Sequence, residues 1–169
     1  MYSMKKILAA IILCSIISLV GCATTTDSVP IVPTTEYEKG GLILQVPDRW
    51  TVEIDVPEYL GFSEYKNEDM VSALSVWIKD EDFYDYVDRQ TEYLNSLDYI
   101  ENLKAEEYQI GDLEAVEFDY YNNSIDNDAR CREVCLNYSK NLIIVGFYSE
   151  DSMQHLYFDE VLRNISIAD

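Results

Sequence analysis

Apolar and polar residues follow two different spacings along the chain from residue 37 onward. Short apolar or alternating runs that end at Gly, Pro or Asn are typical of β-strands. The Gly111-Asp112 pair predicts a tight turn between two of these runs. Seven segments fit the strand pattern, namely residues 41–46, 51–55, 70–79, 101–110, 113–121, 129–138 and 141–148.

Two segments instead repeat apolar residues every three or four positions, which indicates one face of an α-helix. The first covers residues 81–96 and carries Phe83, Val87 and Leu94 on that face. Asp80 is expected to cap it, because an Asp side chain accepts hydrogen bonds from the free amides of the first turn. The second helix is predicted near residues 151–163.

The resulting order is three strands, one helix, four strands and one helix. Consecutive strands joined by short turns pair as antiparallel hairpins, and an amphipathic helix buries its apolar face against such a sheet. The sequence therefore predicts an α+β fold in which an antiparallel β-sheet is packed by helices.

The first 21 residues have the parts of a bacterial export signal. Lys5 and Lys6 precede an uncharged apolar run of 14 residues, 7–20. As a helix this run spans about 21 Å, which is shorter than a hydrocarbon core of about 30 Å. Leu19-Val20-Gly21-Cys22 then resembles the lipobox of bacterial lipoproteins. The resemblance implies a diacylglycerol on the Cys22 thiol and cleavage just before it. An ordinary signal peptide, or a membrane helix with an incidental cysteine, is the alternative.

Residues 22–36 are rich in Thr and Pro and follow neither spacing. We therefore expect an extended tether between Cys22 and a single globular domain over residues 37–169. On this interpretation the protein is extracytoplasmic, and it contacts the lipid bilayer through acylated Cys22. Two or three acyl chains meet the requirement that stable anchoring needs more than one weak signal.

The charge balance excludes one class of partner. The chain has 12 Lys and Arg against 32 Asp and Glu, a formal net charge of −20. A nucleic acid partner requires a basic surface, so none is expected. His155 is the single histidine and is expected at the surface or half-buried. One histidine supports neither a His-rich metal site nor a histidine-based triad, and we predict no metal and no cofactor.

The opening of the globular part has a recognisable pattern. Gly-Leu-Ile-Leu-Gln-Val-Pro-Asp-Arg-Trp, residues 41–50, resembles the entry of the Mog1/PsbP-like fold. A hairpin centred on Gly111, the buried run 142–147 and a terminal helix agree with that resemblance. It implies an α/β/α sandwich over nearly the whole body. Functions within this group differ widely, so no site residue is carried over from it.

Two cysteines and one polar loop are candidate sites with simpler interpretations. Cys131 and Cys135 share a strand face about 13 Å apart, too far for a disulfide, whose Cα atoms lie within about 7 Å. Core packing is favoured, and a redox or intermolecular disulfide role is the alternative. The loop Asp126-Asn127-Asp128 offers oxygen ligands for calcium. It lacks the glycine and glutamate of a calcium loop, which favours a plain hairpin loop.

Aromatic residues are the remaining candidates for binding. Packing in the core explains many of the tyrosines, and the alternative is an exposed cluster of Trp50, Tyr59 and Tyr65 that binds a sugar or peptide by stacking. No catalytic arrangement stands out, so the sequence predicts a non-catalytic binding or accessory module for an envelope protein or small ligand. The alternative is a carboxylate-based hydrolase of the cell envelope. A deep pocket with two carboxylates favours the hydrolase, and a shallow aromatic groove favours the binding module.

Overall fold

A computed structural model describes residues 32–124, 129–139 and 141–168, which belong to one compact unit. Antiparallel pairing dominates this part of the chain. The strands are β1 Thr34–Lys39, β2 Leu42–Pro47, β3 Thr51–Val56, β4 Tyr59–Lys66, β5 Asp69–Lys79, β6 Ile100–Ile110, β7 Leu113–Asn122, β8 Ala129–Tyr138, β9 Asn141–Ser149 and β10 Ser166–Ile167. The helices are α1 Phe83–Asn95, between β5 and β6, and α2 Ser152–Arg163, between β9 and β10.

The strands form two sheets. The larger has seven strands in the order β3-β4-β5-β9-β8-β7-β6, and every neighbouring pair in it is antiparallel. The smaller has the order β1-β2-β10 and is also antiparallel. The predicted α+β class, an antiparallel sheet packed by helices, is confirmed.

One face of the large sheet, which we call the first face, is closed by α2 and the small sheet. Successive side chains of a strand point to opposite faces, so alternate residues such as Phe62 on β4 and Val145 on β9 turn inward together. Phe158 of α2 and Leu44 of β2 complete this core, and both are fully buried. Trp50 stacks on Phe147 here at a ring separation of 5.6 Å.

The opposite, second face is only half covered. Phe83, Tyr86 and Leu94 of α1 pack against Phe118 of β7 and Cys135 of β8. The main contacts of α1 are with β6 and β8. The second face of β3, β4 and β5 therefore lies beyond the helix, which does not cover it.

Several predicted boundaries differ from the structure. Asp82, not Asp80, caps α1, and its Oδ1 accepts hydrogen bonds from the amides of Tyr84 and Asp85 at 2.9 and 3.1 Å. Three strands were not predicted: β1, β4 and β10. β1 begins at Thr34, so the folded domain starts before the predicted boundary at residue 37.

No helix among the described residues is long and apolar enough to cross a membrane. Cys22, the predicted signal and most of the predicted tether lie outside the described residues, as do Asp126, Asn127 and Asp128.

Candidate functional site

The uncovered half of the second face forms an open concavity of about 440 Å³, which we call the trough. Its floor consists of small residues on three neighbouring strands. Gly61 lies on β4, Ala73 and Ser75 lie on β5, and Gly146 lies on β9. The trough exists because these positions carry little or no side chain where α1 does not reach.

Two glycines are needed for this floor. Gly146 lies directly opposite Ser75, and a Cβ added to it would come within 2.8 Å of the Ser75 hydroxyl. A Cβ on Gly61 would lie 2.8 Å from the hydroxyl of Tyr59 and 2.9 Å from its ring. The missing side chain at Gly61 therefore gives the Tyr59 ring room to lie back along its own strand.

Aromatic side chains form the walls of the trough. Tyr59 lines one side of it and contacts Trp77, which lines a smaller adjoining lobe, with ring centroids 4.3 Å apart. Trp77 is 45% exposed. Tyr120 and Tyr148 line the side formed by β7 and β9. Aromatic faces of this kind bind flat apolar surfaces, including those of sugar rings and aromatic groups.

Glu133 of β8 supplies the polar group of the trough. It borders a smaller adjoining lobe of about 170 Å³, and Ser75 and Gly146 line both lobes. Its carboxylate accepts hydrogen bonds from the Tyr86 hydroxyl at 2.9 Å and from Gln90 Nε2 at 3.2 Å. Burial raises the pKa of Glu133, although these donors oppose the shift. A desolvated carboxyl group therefore lies beside an open, aromatic surface.

Lys79 also lines the smaller lobe, with its ammonium group 4.6 Å from the centroid of the Tyr86 ring. Its charge acts to lower the pKa of Glu133. A ligand group that reaches this lobe therefore meets an acid, a cation and a phenol. Such a lobe suits a group that donates hydrogen bonds, because the carboxyl oxygens are the main acceptors there.

The trough does not bring two carboxylates together. Glu53 lies at its outer margin on β3, whereas Glu133 lies on β8. Four strand spacings separate β3 from β8, which is about 19 Å of sheet. Paired carboxylates of glycosidases lie about 5 to 9.5 Å apart. The geometry therefore fits binding better than paired acid–base chemistry, and the hydrolase alternative stays a prediction.

The three predicted binding residues are not close together. Tyr59 lines the trough. Trp50 is 4% exposed in the core, and its Nε1 donates a hydrogen bond to Glu64 at 3.0 Å. Tyr65 is 51% exposed, but six residues of strand, about 20 Å, separate it from Tyr59. The expected exposed cluster is therefore not formed, because Trp50 closes the first face instead.

The cysteines lie on the trough side of β8. Both are free thiols. Cys135 is fully buried under α1, as expected for core packing. Cys131 is half-buried in the wall of the trough, and burial raises the pKa of its thiol to about 11. This thiol is protonated at neutral pH and is a poor nucleophile.

His155 is buried, which corrects the expectation that it lies at the surface or is half-buried. It is only 3% exposed, because its position on α2 turns it toward Phe147, edge to face at 5.0 Å. Its Nε2 lies 3.2 Å from the carbonyl oxygen of Ser149. Burial lowers the pKa of His155 to about 4.

A polar cluster on the first face joins the sheet to α2. Arg132 contacts Glu117 at 2.5 Å and Asp159 of α2 at 2.6 Å. Arg130 contacts Asp119 through two hydrogen bonds of 2.8 and 2.7 Å. Arg132 therefore fixes α2 to the sheet, whereas Arg130 and Asp119 join β8 to β7. Within the described ranges, no group of three or more His, Cys, Asp or Glu residues is arranged to hold a metal ion.

Four lining residues, Trp77, Tyr120, Glu133 and Tyr148, were not predicted as site residues. A weak signal for the floor was present in the sequence. Small residues recur at every second position in Gly61-Phe62-Ser63 and in Ala73-Leu74-Ser75. Since alternate residues of a strand share a face, this pattern indicates a shallow surface opposite the core.

Comparisons with known proteins identify the fold. No family model matches the chain, and no curated protein matches it. Among solved structures, a Bacteroides thetaiotaomicron protein superposes with a TM-score of 0.59 at 9% identity. It covers 82% of this chain, which spans half the length of that protein.

Two further structures match over most of their own length. Cyanobacterial PsbP from Synechocystis has a TM-score of 0.58 at 17% identity, covering 87% of this chain and 99% of its own. The fold is similar to that of PsbP. LpqN of Mycobacterium tuberculosis, described as involved in cell envelope biogenesis, has a TM-score of 0.52 at 15% identity. It covers 81% of this chain and 86% of its own, and at such identities the likeness concerns the fold.

Proposed function

We propose that this protein is a membrane-anchored, extracytoplasmic binding module that holds its ligand in the trough. The observation that carries the proposal is the uncovered half of the sheet, with its small-residue floor and aromatic walls. Ligand sites are concave and mostly apolar, with a few polar groups that orient the ligand. The desolvated carboxyl group of Glu133 is the orienting group here. The fitting ligand has a flat apolar surface and a group that donates hydrogen bonds.

Anchoring rests on the lipobox resemblance of residues 19–22 and on acylation of Cys22. The envelope role described for LpqN supports an envelope setting. The net charge of −20 repels the anionic headgroups of lipids, so the folded body stands away from the membrane that anchors it.

The anchor is tested by cell fractionation of a Cys22→Ser variant. We expect the protein to leave the membrane fraction and to lose metabolic labelling with an alkyne fatty acid. Cys14→Ser is the matched control, because this second cysteine lies inside the predicted signal, and it should leave both unchanged. Unchanged membrane association of Cys22→Ser would contradict the anchor.

Binding in the trough is tested by photo-cross-linking in cells of the native host. A benzophenone amino acid replaces Trp77 at the trough, and Tyr93 on α1 is the control, because it is 53% exposed and aromatic. We expect an adduct of one defined mass at position 77 and none at position 93. Equal adducts at both positions, or none at either, would contradict a binding role for the trough.

A further inference from the structure

The two outer strands of the large sheet differ in how they meet solvent. β6 exposes mainly charged and polar side chains, and no large apolar residue is among its exposed ones. All six residues of β3 are exposed, including Val52, Ile54 and Val56. Edge strands normally carry charges or are covered, because their free N–H and C=O groups pair with other strands. β3 is therefore the less protected edge.

Exposed apolar side chains recur on β3 and on the two strands that follow it in the sheet. Half of the large apolar side chains that are exposed in the described residues lie on β3, β4 or β5. They are Val52, Ile54, Val56, Tyr65, Met70 and Trp77. Val52, Ile54 and Val56 lie together on β3 itself, and neighbouring exposed apolar side chains mark a surface for protein contact. Among the described strands, only β4 pairs with β3, so its outer edge is open.

The charge around β3 limits what can pair with it. Residues 51–58 contain Glu53, Asp55 and Glu58 but no Lys or Arg. Lys39 pairs with Asp55 at 2.5 Å. Glu53, which interrupts the register with β4, and Glu58 are both exposed. A strand with basic side chains complements this edge.

Two other candidates for pairing with β3 fit poorly, namely a second copy of the chain and the chain's own residues 22–31. A second copy paired antiparallel about Ile54 would place Glu53 opposite Asp55, and like charges directly opposite each other destabilise a strand pair. Each copy also carries a net charge of −20. Residues 22–31 of the chain contain no Lys or Arg, so this segment lacks the complementary charge as well.

We propose that an extended, Lys- or Arg-rich segment of a partner protein adds to β3 as an eighth strand of the large sheet. Main-chain hydrogen bonds to β3 hold the segment, and its alternating apolar and basic side chains meet Ile54 and Glu53. This surface lies at the edge of the sheet. Glu53 and Ile54 also line the outer margin of the trough, so the added strand would lie beside the bound ligand and give the protein a second contact.

The test uses a synthetic peptide of three Lys-Val repeats, acetylated and amidated, with the purified folded protein. Hydrogen exchange of backbone amides is followed by NMR with and without saturating peptide. We expect amides within Thr51–Val56 to exchange at least about tenfold more slowly when the peptide is bound, and those within Ile100–Ile110 to be unchanged. Absence of protection in β3, or equal protection in β6, overturns the proposal.

Two control peptides separate strand addition from attraction between opposite charges. One has Glu in place of every Lys, and the other is N-methylated at every amide, which removes its main-chain donors while keeping its charge. We expect both to bind at least about tenfold more weakly than the Lys-Val peptide. If the methylated peptide binds equally well, charge alone is responsible and the proposal fails. If the acidic peptide binds equally well, the charge argument fails.

Two matched substitutions locate the surface. Glu53→Lys and Glu107→Lys change the charge equally, the first on β3 and the second on β6, and both positions are exposed. At about 0.15 M salt, charges farther apart than about 8 Å are largely screened. We expect Glu53→Lys to weaken peptide binding at least about fivefold and Glu107→Lys to weaken it less than twofold. The proposal is overturned if both substitutions weaken peptide binding equally. It is also overturned if self-association protects the β3 amides from exchange in the absence of peptide.

Discussion

Acidification below pH 6.5 should destabilise this protein partly through one residue, His155. The imidazole packs against Phe147, and its Nε2 lies at hydrogen-bond distance from the Ser149 carbonyl. The carbonyl accepts, so the neutral ring donates from Nε2, and Nδ1 has no partner within the described residues. Burial is the main reason that the pKa falls to about 4, and the charges of Arg130 and Arg132 add to the effect.

The size of the effect follows from proton linkage. Between pH 6.5 and pH 4, the unfolded chain binds a proton at His155 that the folded protein does not bind. Stability therefore rises with pH across this interval and is lost as the pH falls through it. With pKa values of 6.5 unfolded and about 4 folded, the loss between pH 7.5 and pH 5.0 is about 2 kcal/mol.

The assay is urea unfolding of the wild type and of His155→Phe at pH 7.5 and pH 5.0. The variant keeps an aromatic ring against Phe147 but leaves the Ser149 carbonyl without its donor, which costs about 1–3 kcal/mol at both pH values. The carboxylates titrate in both proteins. Comparing the pH-dependent change in unfolding free energy between wild type and variant therefore isolates the contribution of the only histidine. We expect the wild type to lose about 2 kcal/mol more than the variant on acidification. A difference below about 0.5 kcal/mol, or one of opposite sign, would refute the reasoning.

Three further predictions concern the two faces of the sheet. Arg132→Met leaves Glu117 and Asp159 without their cation, so unfolding in urea at pH 7.5 should require about 2–4 kcal/mol less free energy; a loss below about 1 kcal/mol contradicts this. Gly146→Val fills the trough beside a serine hydroxyl and should destabilise by about 1–3 kcal/mol while abolishing the cross-link at position 77. The raised pKa of Glu133 means that its stabilising contribution is lost as the pH rises through that pKa. In urea titrations, the stability of Glu133→Gln relative to the wild type should therefore increase between pH 4 and pH 7.5. If the wild type hydrolyses an envelope polymer and this variant does not, the result supports the hydrolase instead.

The fold was predictable where the pattern of apolar residues in a segment shows which of its faces are buried. The run from Leu142 to Val145 is apolar because both faces of β9 are covered there, and α1 shows its helical spacing because one face is buried. β4 was missed because only Leu60 and Phe62 face the core, while Gly61 and Ser63 alternate with them. β1 was missed because its first three residues are polar and exposed.

The site was less predictable, since it depends on where a helix stops covering a sheet. The spacing of apolar residues in α1 does not indicate that the helix packs over β8 and not over β4. Trp50 was predicted to be exposed in a cluster with Tyr59 and Tyr65, yet stacking on Phe147 places it in the core. Glu133 gave no signal among 32 acidic residues, because its burial is set by α1 and the neighbouring strands.

The pairing of β5 with β9 has a consequence for the order in which the protein folds. The large sheet consists of two meanders of consecutive hairpins, β3-β4-β5 and β6-β7-β8-β9. The pairing from Ser72 with Ser149 to Lys79 with Leu142 is the only one that joins them among the described strands. Since closing this long loop costs more entropy than forming a hairpin, we expect the two meanders to form first and to join afterwards. Ser75 and Gly146 face each other across that seam, so the floor of the trough is assembled in the joining step, and a bound ligand would hold the two halves together.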